Sequence, residues 1–125
     1  MKLQRIDAGR HNLFTGYGAG YVAVNHVRHV QSVLVSPQSV AVWEVAEFAE
    51  LAPAHFGFIA ELRPEIVIVG TGAVQRFLGA DLSRALVASG VGVEIMDTRA
   101  ACRTYNILAA EERKVVAAIL VETGS

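Results

Sequence analysis

Apolar positions change their spacing midway along the chain. In the first third they are β-branched and partly alternating, in Tyr21-Val22-Ala23-Val24 and in Val27-Arg28-His29-Val30-Gln31-Ser32-Val33-Leu34-Val35. That pattern predicts antiparallel strands. Asn25-His26 lies between the two runs and suits a tight hairpin, because Asn tolerates positive φ. The preceding stretch, Asn12 to Gly20, is punctuated by glycines and is expected to form a loop or an irregular strand. Ser36-Pro37-Gln38-Ser39 reads as a turn, and Val40-Ala41-Val42-Trp43 as a third strand. From Glu44 to Leu51 the pattern is ambiguous. Glu44, Glu47 and Glu50 recur every third residue, as on a solvated helix face, or as an acidic docking edge.

The second half has a different rhythm. Pro53 opens a helix to Leu62, proline being at home in the first helical position. Glu65-Ile66-Val67-Ile68-Val69-Gly70 is a short continuous apolar run, as expected of a parallel strand buried on both faces. Leu78, Leu82, Ala85 and Leu86 make a helical stripe that ends at Gly90. Val91 to Met96 forms the next strand. Asp97 or Thr98 caps a helix reaching to about Ala110. Arg113 to Val121 closes the chain as a strand. The order β-α-β-α-β implies parallel strands joined by right-handed crossovers.

Length decides how these parts combine. With 125 residues, the chain can bury one adequate core and not two. The expectation is one α/β domain over residues 1–125 with a mixed β-sheet, an antiparallel N-terminal hairpin region followed by a parallel β-α-β-α-β half.

Composition narrows the function classes. Hydrophobic residues make up 53% and charged ones 18%, below the usual quarter. A chain with so little polar surface is expected to carry a face for a protein partner or a homo-oligomer. Eleven basic against twelve acidic residues, without a basic stripe, argue against nucleic acid. The single cysteine, Cys102, excludes an intrachain disulfide and a zinc site of paired cysteines. Met1 to Asp7 has no apolar core of a leader, and no run approaches the roughly 18 apolar residues of a membrane span. A cytoplasmic location without membrane insertion is therefore expected. His11, His26, His29 and His55 are scattered, so no metal site and no cofactor are expected.

The candidate chemistry sits at two strand ends, where parallel sheets bind their ligands. After Gly70 come Thr71-Gly72-Ala73-Val74-Gln75-Arg76. The glycines allow close backbone approach, Thr71 offers a hydroxyl and Arg76 a cation, a set that could cradle an anion. The alternative is a plain strand-to-helix turn, since the segment is neither a dinucleotide fingerprint nor a P-loop. After Met96 come Asp97 to Asn106. At helical spacing Arg99, Arg103 and Asn106 share one face, and Thr98, Cys102 and Tyr105 a neighbouring one. Asp97 reads equally as a helix cap, the arginines as a solvated face, and Cys102 as a small buried hydrophobe. A nucleophilic Cys102 would need a base, and no histidine stands nearby in sequence. The candidate ligand-binding set is Gly70, Thr71, Gly72, Arg76, Asp97, Cys102, Arg103, Tyr105 and Asn106. No catalytic residue can be assigned.

The run from Pro64 to Gly72, then Arg76-Phe77-Leu78, then Met96-Asp97-Thr98 and Ala101-Cys102-Arg103-Thr104-Tyr105-Asn106-Ile107-Leu108, resembles a known family. This is the domain of unknown function shared by mitochondrial complex I (NADH:ubiquinone oxidoreductase) assembly factor three, an adipogenesis-associated animal protein and small stand-alone bacterial and archaeal proteins. The likeness extends to Val33-Leu34-Val35, Pro37 and Trp43 and so covers nearly the whole chain. It implies a compact α/β fold with a mixed sheet, no established activity, and, in the mitochondrial branch, a role in assembling a membrane complex through protein contacts. Without a presequence pattern, this chain is expected to be one of the bacterial stand-alone members. Two functions follow as expectations. The first is a non-catalytic protein-binding or assembly-factor-like module. The second is a small anionic ligand-binding protein or enzyme, with its site near Gly70-Gly72 and Asp97-Asn106.

Overall fold

The computed structural model describes residues 11–122. The leader reading of Met1 to Asp7 lies outside them. Eight strands and three helices follow in the order β1 (Phe14–Gly18), β2 (Tyr21–Val24), β3 (Val27–His29), β4 (Val33–Ser36), β5 (Ser39–Val42), α1 (Pro53–Glu61), β6 (Ile66–Gly70), α2 (Ala80–Ala88), β7 (Gly92–Met96), α3 (Thr98–Ala110) and β8 (Val115–Ile119). A 3-10 turn, Phe48–Glu50, occupies the ambiguous acidic stretch.

The strands form two sheets. β1, β2 and β3 make an antiparallel sheet of three, and the other five run in the order β5-β4-β8-β6-β7. Within the larger sheet β6 is parallel to β7 and β8, whereas β4 is antiparallel to β5 and β8. The fold is α/β and its main sheet is mixed, as the sequence implies. The glycine-punctuated stretch before Tyr21 takes the second of its two expected forms, an irregular strand, β1, whose register shifts between Phe14 and Gly16. One detail differs. The run Val27 to Val35 is not one strand but two, β3 and β4, which belong to different sheets. Its break falls at Val30-Gln31-Ser32, where the buried Ser32 hydroxyl accepts from Val121 N at 3.0 Å, so the chain changes layers at a polar residue.

The β2–β3 turn is tight for the reason foreseen. Asn25 and His26 both hold positive φ, 51° and 70°, the backbone twist that suits a two-residue hairpin. The Asn25 carboxamide also accepts from Leu13 N at 3.1 Å, tying the turn to the start of β1.

The core lies on both faces of the large sheet. On one face Val33, Val35, Ile68, Ala117 and Ile119 meet α3 (Ala101, Cys102, Tyr105, Ala109) and the small sheet (Phe14, Val22, Val24). On the other, Leu34, Val67, Val69, Val116 and Ala118 meet Phe56 and Ile59 of α1, Leu86 of α2, and Trp43. This explains the unbroken apolar runs of β6 and β8: a strand covered on both faces has no polar side to present. Each large buried aliphatic or aromatic side chain contributes about 1.5–3 kcal/mol by leaving water. No helix among the described residues is long and apolar enough to cross a membrane.

Candidate functional site

Strands β6 and β7 end side by side, and α3 begins there. Asp97 caps α3, its carboxylate accepting from Ala100 N at 2.9 Å. Gly70 is glycine because α3 stands directly on the end of β6. A Cβ there would lie 2.8 Å from Ile119 Cδ1 and 3.2 Å from both Ala101 Cβ and Thr98 Oγ1. Gly72 holds φ +99°, a conformation that favours glycine.

The donors of this segment are spoken for within the protein. Thr71 N donates to Met96 O at 2.9 Å, and Gly72 N donates to Thr98 Oγ1 at 3.0 Å. Thr98 N returns a bond to Gly72 O at 2.9 Å. The fully buried Thr71 hydroxyl donates to Val74 O at 2.7 Å and accepts from Arg76 N at 3.2 Å. The Arg76 guanidinium lies 3.0 Å from the Glu122 carboxylate, which also accepts from Phe48 N at 2.9 Å. An anion at Thr71 and Gly72 would compete with these bonds, and its cation is already paired.

The α3 residues divide by face. Cys102 is buried, and burial pushes its thiol up to about 12, opposed by the nearby Arg103 charge. Such a thiol is protonated at neutral pH and is a poor nucleophile. Tyr105 is buried with its hydroxyl donating to Asn12 O at 2.9 Å, and desolvation raises its pKa. Asn106 holds β1: its Oδ1 accepts from Phe14 N at 2.9 Å and its Nδ2 donates to Phe14 O at 2.8 Å. Arg103 is exposed and donates to the Tyr17 hydroxyl at 3.4 Å. The nine sequence candidates thus cluster around the ends of β6 and β7 and along α3. All nine bond or pack within the fold, and Arg103, which reaches Tyr17, is the one of them that is exposed.

A cleft of about 500 Å³ does open at this end of the sheet, one step to the side. Gly72, Ala73, Thr98 and Arg99 form one wall, the β1–β2 turn from Tyr17 to Val22 another, and Leu120 to Glu122 the third. Tyr17, Tyr21 and Glu122 were not singled out from the sequence. Tyr17 lies in Gly16 to Gly20, which matches no nucleotide fingerprint, and only the fold carries the small sheet across to the ends of β6 and β8. The Tyr17 phenol is held below its ordinary value, first by the hydrogen bond from Arg103 and further by Arg99.

Beyond the cleft, the loop between β6 and α2 projects apolar side chains into water. Phe77 is 91% exposed and Val74 58%. The signal for these residues was a pair of large apolar side chains in a stretch without helical or strand periodicity. Among the described residues, no three His, Cys, Asp or Glu side chains are grouped so as to hold a metal ion.

Comparison with known proteins places this geometry in a family. Residues 14–120 match the model described as "Protein of unknown function (DUF498/DUF598)". The chain is 34% identical over 110 residues to bovine NADH dehydrogenase [ubiquinone] 1 alpha subcomplex assembly factor 3, covering 86% of this chain and 60% of the bovine protein. It thus spans about three fifths of that relative's length. It is 26% identical to the "13 kDa major membrane protein" of Francisella tularensis, covering 96% of this chain and 99% of that one. Among solved structures, a Bordetella parapertussis protein superposes with a TM-score of 0.85 at 46% identity, covering 90% of this chain and 97% of that one. A Bordetella pertussis protein described as a Mth938-like domain gives 0.81 at 39%, covering 98% and 93%. With its fold, its strand-end motif and nearly all of its described length accounted for, the chain belongs to the DUF498/DUF598 family of proteins of unknown function.

Proposed function

We propose that this chain is a non-catalytic protein-binding module that holds a partner while a larger complex is built. The observation that carries the reading is the exposed Phe77, presented by a loop that is pinned rather than loose. Thr71 fixes Val74 O and Arg76 N, Gln75 Nε2 donates to Ile95 O at 3.2 Å, and Arg76 is clamped by Glu122. A large aromatic held in water by a braced backbone loses little further entropy on docking, which is how interface anchors work. Relatives named as assembly factors support the same reading, because their naming describes protein handling rather than turnover. The engaged hydroxyl of Thr71 and the high thiol pKa of Cys102 offer no nucleophile in its place.

A photo-crosslinking residue at position 77, in the protein's own host, tests this. The expected result is a discrete adduct with another protein, abolished by Val74→Asp in a chain that still folds. Only self-adducts, or no adduct alongside unchanged behaviour of Phe77→Ser, would overturn it.

A further inference from the structure

The cleft beside the strand ends is lined by Gly72 and Ala73 at the start of the β6–α2 loop, but not by its exposed Val74 and Phe77. Arg99 lines it, and Arg103, one helical turn on, reaches its edge at Tyr17. The Arg99 guanidinium carbon lies 5.9 Å from the Tyr17 ring centroid. Both arginines are exposed, and among the described residues neither pairs with a carboxylate. Arg76 and Arg113, by contrast, each have an acidic partner. Two guanidiniums thus converge on one phenol at the mouth of a concave site.

The rest of the cleft is mainly apolar. Tyr21 contributes a wall: its ring occupies the space over Gly18, where a Cβ would come within 2.5 Å of Tyr21 Cε1, and the Arg28 guanidinium carbon sits 3.9 Å from the ring centroid. Val22, Leu120 and Val121 complete the apolar side. The Glu122 carboxylate is at the cleft too, but its charge is met by Arg76. The volume falls in the usual range for small-molecule sites, about 300–1,000 Å³.

We propose that this cleft binds a small amphipathic organic anion, its carboxylate-type head on Arg99 and Arg103 and its flat apolar body against Tyr21, Val22 and Val121. Planar guanidiniums match a carboxylate through paired N–H donors, and an apolar body replaces water against the tyrosine ring. No bond is made or broken. The site differs from an anion cradle at Thr71 and Gly72, whose donors are engaged by the fold.

Naphthoate and its neutral amide, naphthamide, titrated separately into the full chain and followed by amide-resolved NMR, test the proposal. Naphthoate is expected to give saturable shifts confined to Gly18, Ala19, Gly20, Gly72 and Ala73, and to bind at least about tenfold more tightly than naphthamide. The double variant Arg99→Gln, Arg103→Gln is expected to abolish that difference. Equal affinity for acid and amide, shifts spread elsewhere, no saturation up to about 5 mM, or an unchanged preference in the double variant would each overturn the proposal. The comparison of acid with amide uses the unaltered protein, so it stands even if a variant folds poorly. It is independent of the crosslink at Phe77.

Discussion

Asn106 treats Phe14 as a neighbouring β-strand would. Its side-chain amide accepts from Phe14 N at 2.9 Å and donates to Phe14 O at 2.8 Å, so one residue of α3 pairs with the edge of β1 across 92 positions of sequence. The ring of Phe14 then meets Tyr105 edge-on, centroids 5.3 Å apart. The small sheet is fastened to the helix by this clasp and by Tyr105 on Asn12 O.

Replacing the clasp should therefore loosen β1. Asn106→Leu removes both bonds and leaves two backbone groups of a buried residue short of partners, at about 1–3 kcal/mol for each such group. The expected outcome is a loss of about 2–6 kcal/mol in urea unfolding, with β1 amides exchanging faster than those of β6. A loss below about 0.5 kcal/mol would show that the clasp is not holding the sheet.

Thr71 should prove a local organiser. Thr71→Val keeps the shape but removes the hydroxyl that donates to Val74 O and accepts from Arg76 N. The bond from the hydroxyl to Val74 O and the bond it accepts from Arg76 N would both be lost at a part-buried site, costing about 1–3 kcal/mol. Hydrogen exchange at the Arg76 amide should quicken, and Thr71→Ser should restore most of the protection. If Val and Ser variants behave alike, the hydroxyl is not what braces the loop.

Alkaline pH should destabilise the fold through two buried acids. Burial raises the Cys102 thiol from its ordinary value of 9.0 to about 12, and raises Tyr105 as well. The unfolded chain therefore releases these protons at lower pH than the folded chain. Stability from Cys102 is fully present below about pH 9 and falls as pH rises towards 12, by up to about 1.4 kcal/mol per pH unit within that window. Urea midpoints measured from pH 8 upward check this, and Cys102→Ala should flatten the first part of the decline. The same burial predicts that iodoacetamide labels the native thiol only as fast as the chain opens.

Tyr17 should titrate in the opposite sense. Arg103 and Arg99 favour its phenolate, so it is expected to ionise before Tyr105. Absorbance of tyrosinate against pH would show an early step that Arg103→Gln moves upward. An unmoved first step would mean that the guanidinium does not act on the phenol in solution.

Local pattern was enough for most elements. Period-two valines, the Pro53 helix start, the Gly90 stop and the uninterrupted Ile66 to Gly70 run each report a short-range preference, and each stands in the fold near the expected place. The Val27 to Val35 run misled because one strand and two strands in different layers share the same apolar pattern, and only partners distant in sequence separate them. Polar residues were read less well for the same reason. Asp97 as a cap depends on Ala100, three residues away, and was legible; Asn106 depends on Phe14, and Arg103 on Tyr17, both more than 80 residues distant.

What the sequence determined by itself was most of the elements, the strand-end location of the family motif and the family. The tertiary structure decided which of those polar groups remain available. Hydrogen bonds and burial are settled between surfaces that meet only after folding, so Thr71, Tyr105 and Asn106 were drawn into the scaffold. The cleft arose from the same event: the small sheet, anchored on α3, brought Tyr17 and Tyr21 over the strand ends and left Arg99 and Arg103 facing water.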